Sequence, residues 1–260
     1  MSEAVEHHYG PRVHVIGGPW MASMLARIAS PGVGQTELMA LVRSVYQQLL
    51  AEAAGTELPT VQTSLPTRMA EAHPEAGVYR GTVLDPAQRI VIVDVIRGGI
   101  VPAQTCFESL ASFLPIDALR LDHLNMARIA GDDGRVAGVD LSGSKVGGTI
   151  EGATVILPDP MGATGSTTRV ALDHLREQHG RPRKWVLLPM ICTPEYLRAV
   201  LDLDEDVVVY AGRVDRGLSD RDVLDSPLGL HWDRERGLDD NDYIVPGAGG
   251  VGEVLNNSWC

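Results

Sequence analysis

Asp159 ends an apolar run, and seven small residues follow within the next nine positions: Gly162, Ala163, Thr164, Gly165, Ser166, Thr167 and Thr168. A run of this kind between a strand and a helix leaves successive backbone N–H groups at a helix N-terminus, where they can hold a phosphate. The four hydroxyls add donors. Asp159 would repel that phosphate at contact distance and is better suited to accept hydrogen bonds from sugar hydroxyls beside it. The chemistry predicted is recognition of a phosphorylated sugar, with a 5-phosphate in the loop and ribose hydroxyls on the acid. In this loop no Lys follows the glycines and the spacing is not G-x-G-x-x-G, so neither common nucleotide loop is matched there. On composition alone, an ordinary strand-to-helix turn capped by Thr fits equally well.

The bulk properties narrow the partners. With 260 residues the chain is long enough to bury one large core. The net charge of -12 disfavours a general nucleic-acid binder, which needs a basic surface. Cys106, Cys192 and Cys260 show no paired spacing, so neither a disulfide framework nor a zinc site is expected. The first fifteen residues lack an apolar signal segment, and no run approaches a membrane span, so a cytoplasmic protein is expected.

The elements that must position the loop follow from periodicity. Residues 1–35 read as an N-terminal arm with one short helix at Met21 to Ile28. A helix opens at Thr36, with apolar positions Leu38, Leu41, Val42, Val45, Leu49 and Leu50, and Gly55 is its predicted end. From Arg89 onward, apolar runs of strand length alternate with helices. Strands are predicted at Arg89 to Ile96, Asp117 to Leu124, Thr154 to Leu157, Trp185 to Ile191 and Val207 to Tyr210. Helices are predicted at Ala103 to Phe113, Thr167 to His179 and Pro194 to Leu201. This alternation predicts an α/β fold with a mostly parallel central sheet and helices on both faces. Ala130 to Gly152 reads as a Gly-rich lid, and Asp215 to Asp242 as a charged excursion over the surface. The expected division is an arm at 1–35, a core at 36–215, and an insertion with a small C-terminal hood at 216–260.

Four stretches in order complete the picture: Val95-Ile96-Arg97-Gly98-Gly99, Asp159 to Ser166, Thr193-Pro194-Glu195, and Tyr243-Ile244-Val245-Pro246-Gly247-Ala248-Gly249. Together they resemble the uracil phosphoribosyltransferase family, whose motifs read I-L-R-A-G, D-P-M-L-A-T-G-G-S, A-P-E and Y-I-V-P-G-L-G-D-A-G-D. The resemblance implies a type I phosphoribosyltransferase fold. It implies transfer of ribose 5-phosphate from phosphoribosyl pyrophosphate (PRPP) to uracil, giving UMP and pyrophosphate in pyrimidine salvage. It further implies Mg2+ held mainly through PRPP and water rather than by protein ligands, and a homodimer or larger homo-oligomer without nucleic-acid or membrane partners.

Carried over by motif, Asp159 and Arg97 would be catalytic. PRPP would meet Arg97, Arg128, Lys145, Asp159, Pro160, Met161, Gly162, Ala163, Thr164, Gly165, Ser166 and Thr167. The base would meet Tyr243, Ile244, Gly249, Gly250 and Val251. Arg128 matches the family's L-Y-R-D-E only after a two-residue shift, and it and Lys145 read equally as solvated loop charges. The chain also departs from the pattern. Gly250 replaces the hood acid, Glu253-Val254 the later Asp-Arg, and Asp94 the Pro of P-I-L-R. Asp215, Asp239, Asp240 and Asp242 are candidates to replace the lost carboxylate, although solvation is the commoner fate of such acids. The alternatives are transfer to another pyrimidine-like base, and a non-catalytic sensor of PRPP or nucleotide.

Overall fold

The computed structural model describes residues 4–130, 136–203 and 206–258. In chain order the elements are β1 (Val13–Val15), α1 (Pro19–Ile28), α2 (Gln35–Glu57), β2 (Thr60–Pro66), β3 (Val78–Leu84), β4 (Ile90–Ile96), α3 (Ile100–Ala111), β5 (Leu119–Asn125), β6 (Ala127–Ala130) and β7 (Val136–Asp140). They continue with β8 (Thr154–Gly162), α4 (Ser166–His179), β9 (Lys184–Cys192), α5 (Pro194–Leu201), β10 (Val207–Ala211), β11 (Arg213–Val214), α6 (Arg221–Leu224) and α7 (Val251–Asn256).

A seven-stranded sheet runs β1-β10-β9-β8-β4-β5, with β11 added on β9, and every pairing is parallel. Strands such as Ile90 to Val93 are buried on both faces, which explains their unbroken apolar character. On one face the core joins α1, α2, α3 and α7 to Ile92, Ile156 and Leu188. On the other, α4 and α5 pack on Val93, Val155 and Leu187. The winding direction reverses between β4 and β8. The loops after those two strands therefore flank the crevice at the switch point, where ligands of open parallel sheets bind.

The structure redraws several predicted boundaries. Residues 13–15, expected to lie in an arm, form an edge strand paired with Val209 to Ala211. Helix α2 runs past Gly55 to Glu57, because tertiary contacts fix its last turn. Ala54 and Leu58 are buried, and the Glu57 carboxylate takes Lys184 Nζ at 2.5 Å and Tyr210 OH at 2.8 Å. Strand β8 continues five residues beyond Leu157 to Gly162, because β9 offers a partner throughout, up to Gly162 on Cys192. β4 lets go of β8 at Ile156, so Pro158 and Pro160 lie where one edge is open, a position that tolerates proline. β6, which ends where the predicted lid begins, pairs antiparallel with β7 inside it. The hairpin of β2 on β3 lies in a stretch for which no element was predicted.

The charged segment after β11 is not a solvated excursion. Asp215, Arg216, Ser219 and Glu235 are all buried. Arg216 Nη1 donates to Glu235 Oε1 at 2.6 Å, and Arg216 Nη2 to the Ser226 carbonyl at 2.6 Å. Tyr9 OH and Gly229 N donate to the same carboxylate at 2.7 and 2.8 Å. Each charge is paired and its remaining capacity filled, the condition under which burial is tolerated. Removing one partner strands the other. Arg216→Leu is expected to cost about 3–5 kcal/mol of stability and to lower Tm by roughly 10 °C, as read by thermal denaturation.

Candidate active site

The stretch after Asp159 forms a cavity of about 140 Å³ lined by Asp159, Met161, Ala163, Thr164, Gly165, Ser166, Thr167, Thr168, Tyr196 and Asp242. The loop that turns from β8 into α4 depends on two glycines. Gly165 has φ 79°, the left-handed region, and a Cβ there would lie 2.8 Å from the Ala199 Cβ. A Cβ on Gly162 would meet the Tyr196 ring at 2.9 Å. Thr164 Oγ1 accepts from Ser166 N at 3.2 Å and lies 2.9 Å from Ser166 Oγ. Hydroxyls and the N-terminal turn of α4 thus face one space.

The Thr193-Pro194-Glu195 motif holds this loop from beneath. Thr193 N donates to the Gly162 carbonyl at 3.0 Å, and its Oγ1 to the Ala163 carbonyl at 2.6 Å. The same oxygen caps α5 by accepting Tyr196 N at 3.0 Å. Glu195 reaches the opposite way, and its carboxylate accepts Gly237 N at 3.0 and 3.1 Å. One short motif therefore ties the phosphate-type loop to the segment that leads into the hood.

Asp159 sits half-buried at the cavity, and its Oδ1 accepts Met161 N at 3.3 Å. Burial pushes its carboxyl up to about 6, with the Met161 N–H opposing. Across the cavity, Asp242 adopts φ 63°, a left-handed conformation that Asp tolerates better than most residues. Of the four acids considered as replacements, Asp242 alone among the described residues lines this cavity. Asp239 caps its own turn by accepting Asn241 N and Tyr243 N, each at 2.9 Å, and Asp240 is exposed.

Asp215 has a bracing position instead. Its carboxylate pairs with Arg213 at 2.5 and 2.8 Å and accepts Gly247 N at 2.8 Å, while Arg213 Nη2 donates to the Gly247 carbonyl at 3.1 Å. Both polar groups of Gly247 are thereby fixed, at the turn that follows the cis Val245–Pro246 bond. Of the predicted base contacts, Tyr243 is exposed, whereas Ile244 and Val251 put their side chains into the core and can offer a ligand only their backbone. Gly250 lacks the acid side chain. A Cβ there would lie 2.4 Å from Glu253 Oε2, so a carboxylate from the next helical turn already occupies that space.

Arg97 follows β4 on the other side of the crevice, and its Nη1 donates to Ser258 Oγ at 2.8 Å. Gly98 lies beside the hood helix, with its Cα 3.7 Å from a Cβ placed on Gly252. Lys145 is exposed, and its main chain forms an antiparallel bridge with His123. Arg128 lies on β6, but its side chain falls outside the described residues, as does Cys260. Tyr196 and Arg213 contribute without a signal in the sequence, because Tyr196 meets the loop from α5 and Arg213 reaches Gly247, 34 residues away.

Because Asp159 is harder to ionise in the folded chain than in the unfolded one, it favours folding most below about pH 4 and loses that contribution as pH rises through about 6. Asp159→Asn should therefore raise stability by about 1–3 kcal/mol at pH 7.5 and give no gain below pH 4. Urea unfolding at the two pH values checks both arms.

Comparison with known proteins agrees with this layout. The family model described as "Uracil phosphoribosyltransferase" matches residues 15–235. A uracil phosphoribosyltransferase of Dictyoglomus thermophilum is 26% identical over 243 residues, covering 94% of this chain and 98% of that one. Among solved structures, the AQ2163 protein of Aquifex aeolicus superposes with a TM-score of 0.68 at 20% identity, covering 94% of this chain and 97% of that one. Adenine phosphoribosyl transferase of Trypanosoma brucei, solved with AMP, pyrophosphate and ribose-5-phosphate, gives a TM-score of 0.52 at 11% identity over 88% and 93% of the two chains. With a phosphoribosyltransferase sheet and most of its length matched by the family model, the chain belongs to the uracil phosphoribosyltransferase family, a family of pentosyltransferases.

Proposed function

We propose that this enzyme transfers ribose 5-phosphate from PRPP to uracil, giving UMP and pyrophosphate in pyrimidine salvage. The observation that carries the reading is the cavity in which Asp159 faces the hydroxyl-lined start of α4. In the proposed complex, the 5-phosphate sits on the N–H groups and hydroxyls of Thr164 to Thr168. Asp159 accepts the ribose hydroxyls and, as a carboxylate, favours positive charge growing on the ribose ring as pyrophosphate departs. Arg97 holds pyrophosphate oxygens, a role for which its forked guanidinium is suited. Lys145 and Arg128 are the further cations expected from the lid.

The base is read by backbone groups of the hood, from Tyr243 to Val251. Bracing by Asp215 and Arg213 supports that assignment, because fixed donors and acceptors discriminate between bases only if they cannot relax. Glu253, standing over Gly250, is the feature that supports uracil over an altered base: it restores a carboxylate where the family motif has one.

Mg2+ would be held mainly through PRPP and water. The carboxylates of Asp159 and Asp242 on one cavity fit that arrangement, as hard oxygens that water can bridge to the ion. Bound with PRPP, it would neutralise charge on the leaving pyrophosphate. No described helix is long and apolar enough to cross a membrane, and Cys106 and Cys192 are buried free thiols. The cytoplasmic location and the homo-oligomer are proposed from family resemblance alone.

The test is pyrophosphate release from PRPP, Mg2+ and uracil. Asp159→Asn is expected to lower kcat by about 10²–10³, and Arg97→Ala to raise KM for PRPP by about tenfold or more. Release with a different base and none with uracil would move the substrate assignment. No binding of PRPP would overturn the reading.

A further inference from the structure

The family pattern carries Pro at the position three residues before the arginine of the loop after β4, and this chain carries Asp94 there. Asp94 is 1% exposed. Its Oδ2 lies 2.7 Å from Nδ1 of His123, its register partner on β5. Its Oδ1 is buried with no hydrogen-bond partner among the described residues. The pair lies directly under the loop, since a Cβ on Gly99 would come within 3.3 Å of the Asp94 Cβ. An acid in so dry a place is expensive unless it has a task. Burial raises its carboxyl, and the contact with His123 opposes that rise.

The geometry of the ring indicates the task. With Nδ1 turned inward to Asp94, Nε2 lies on the opposite side of an imidazole that is 45% exposed. His123 is also fixed through its main chain, whose N–H and C=O pair with Lys145 at 2.9 and 2.7 Å. The ring therefore stands toward the carboxyl ends of β4 and β5, paired with Asp94. Arg97 lies three residues beyond Asp94 in the loop after β4, and Lys145 is bridged to the His123 main chain. Asp122 alternates to the other face of β5 and pairs with Arg120, and the first turn of α3 brings no acid.

We propose that His123, oriented by Asp94, is a binding residue of the pyrophosphate subsite. In the bound state the ring donates from Nδ1 to Asp94 and from Nε2 to a pyrophosphate oxygen. Asp94 is a positioning residue that fixes the ring. The pair replaces a proline of the family pattern, so it distinguishes this chain from the pattern it otherwise follows. The inference rests on the PRPP reading given above.

Calorimetric titration of inorganic pyrophosphate with Mg2+ into wild type, His123→Gln and Asp94→Asn tests it. His123→Gln should weaken binding about tenfold, with KM for the base unchanged. Asp94→Asn should weaken it about threefold, and ring nitrogen NMR should show loss of the fixed Nδ1–H tautomer. Unchanged pyrophosphate affinity in His123→Gln would overturn the proposal while leaving the PRPP reading intact. Wild type that binds neither pyrophosphate nor PRPP would overturn both. Should Asp94→Asn fail to fold, the half-exposed His123 variant decides alone.

Discussion

Parallel pairing between β8 and β9 continues past the point where β4 separates from β8, and the cavity exists because of it. Up to Ile156 the strand is held on both edges. From Pro158 to Gly162 it is held on one, and the crevice opens along the other. The same ladder that carries Asp159 into the crevice sets Gly162 against Cys192, which puts Thr193 beneath the loop. Acid, loop and supporting hydroxyl are thus placed by one register. A shift of that register by a single residue would turn Asp159 to the opposite face of the sheet.

A second principle governs the hood. A base-reading surface made of backbone cannot be stiffened by packing alone, because its polar groups must stay available to a ligand. This chain stiffens it with internal ion pairs: Arg213 with Asp215 at Gly247, and Arg216 with Glu235 behind it. Buried pairs of this kind add little net stability compared with apolar residues of the same shape. They do fix direction, since a bidentate guanidinium and carboxylate tolerate little rotation. Their place here is consistent with selection for geometry.

Much of the fold was legible in the sequence because its strands are buried on both faces, and RIVIVDVI or VVVY admits few other readings. The loop after Asp159 was legible because small residues and hydroxyls have few structural reasons to cluster. What stayed hidden depended on partners far away in sequence. Val13–Val15 is too short to show a pattern and becomes a strand only against β10. Two prolines mark Pro158 and Pro160 as a turn unless β9 is known to lie alongside. The charges of 213–237 look solvated until Arg216 is seen to meet Glu235, and Tyr9 to donate to the same carboxylate. Asp94 looks like a flaw in an apolar strand until the register brings His123 to it.

The strand Val13–Val15 and the ring of Tyr9 both find their partners beyond residue 206: the first on Val209 to Ala211, the second on Glu235 and Trp232. On the ribosome, Tyr9 and Val13–Val15 are made long before these partners and must wait for them before docking. Closing such a span is slow, because its entropy is lost before any contact compensates for it. The strand and the ring consequently stay undocked until β10 and Glu235 have been made. Completion of the hood side of the molecule is thereby coupled to the arrival of residues made long before it.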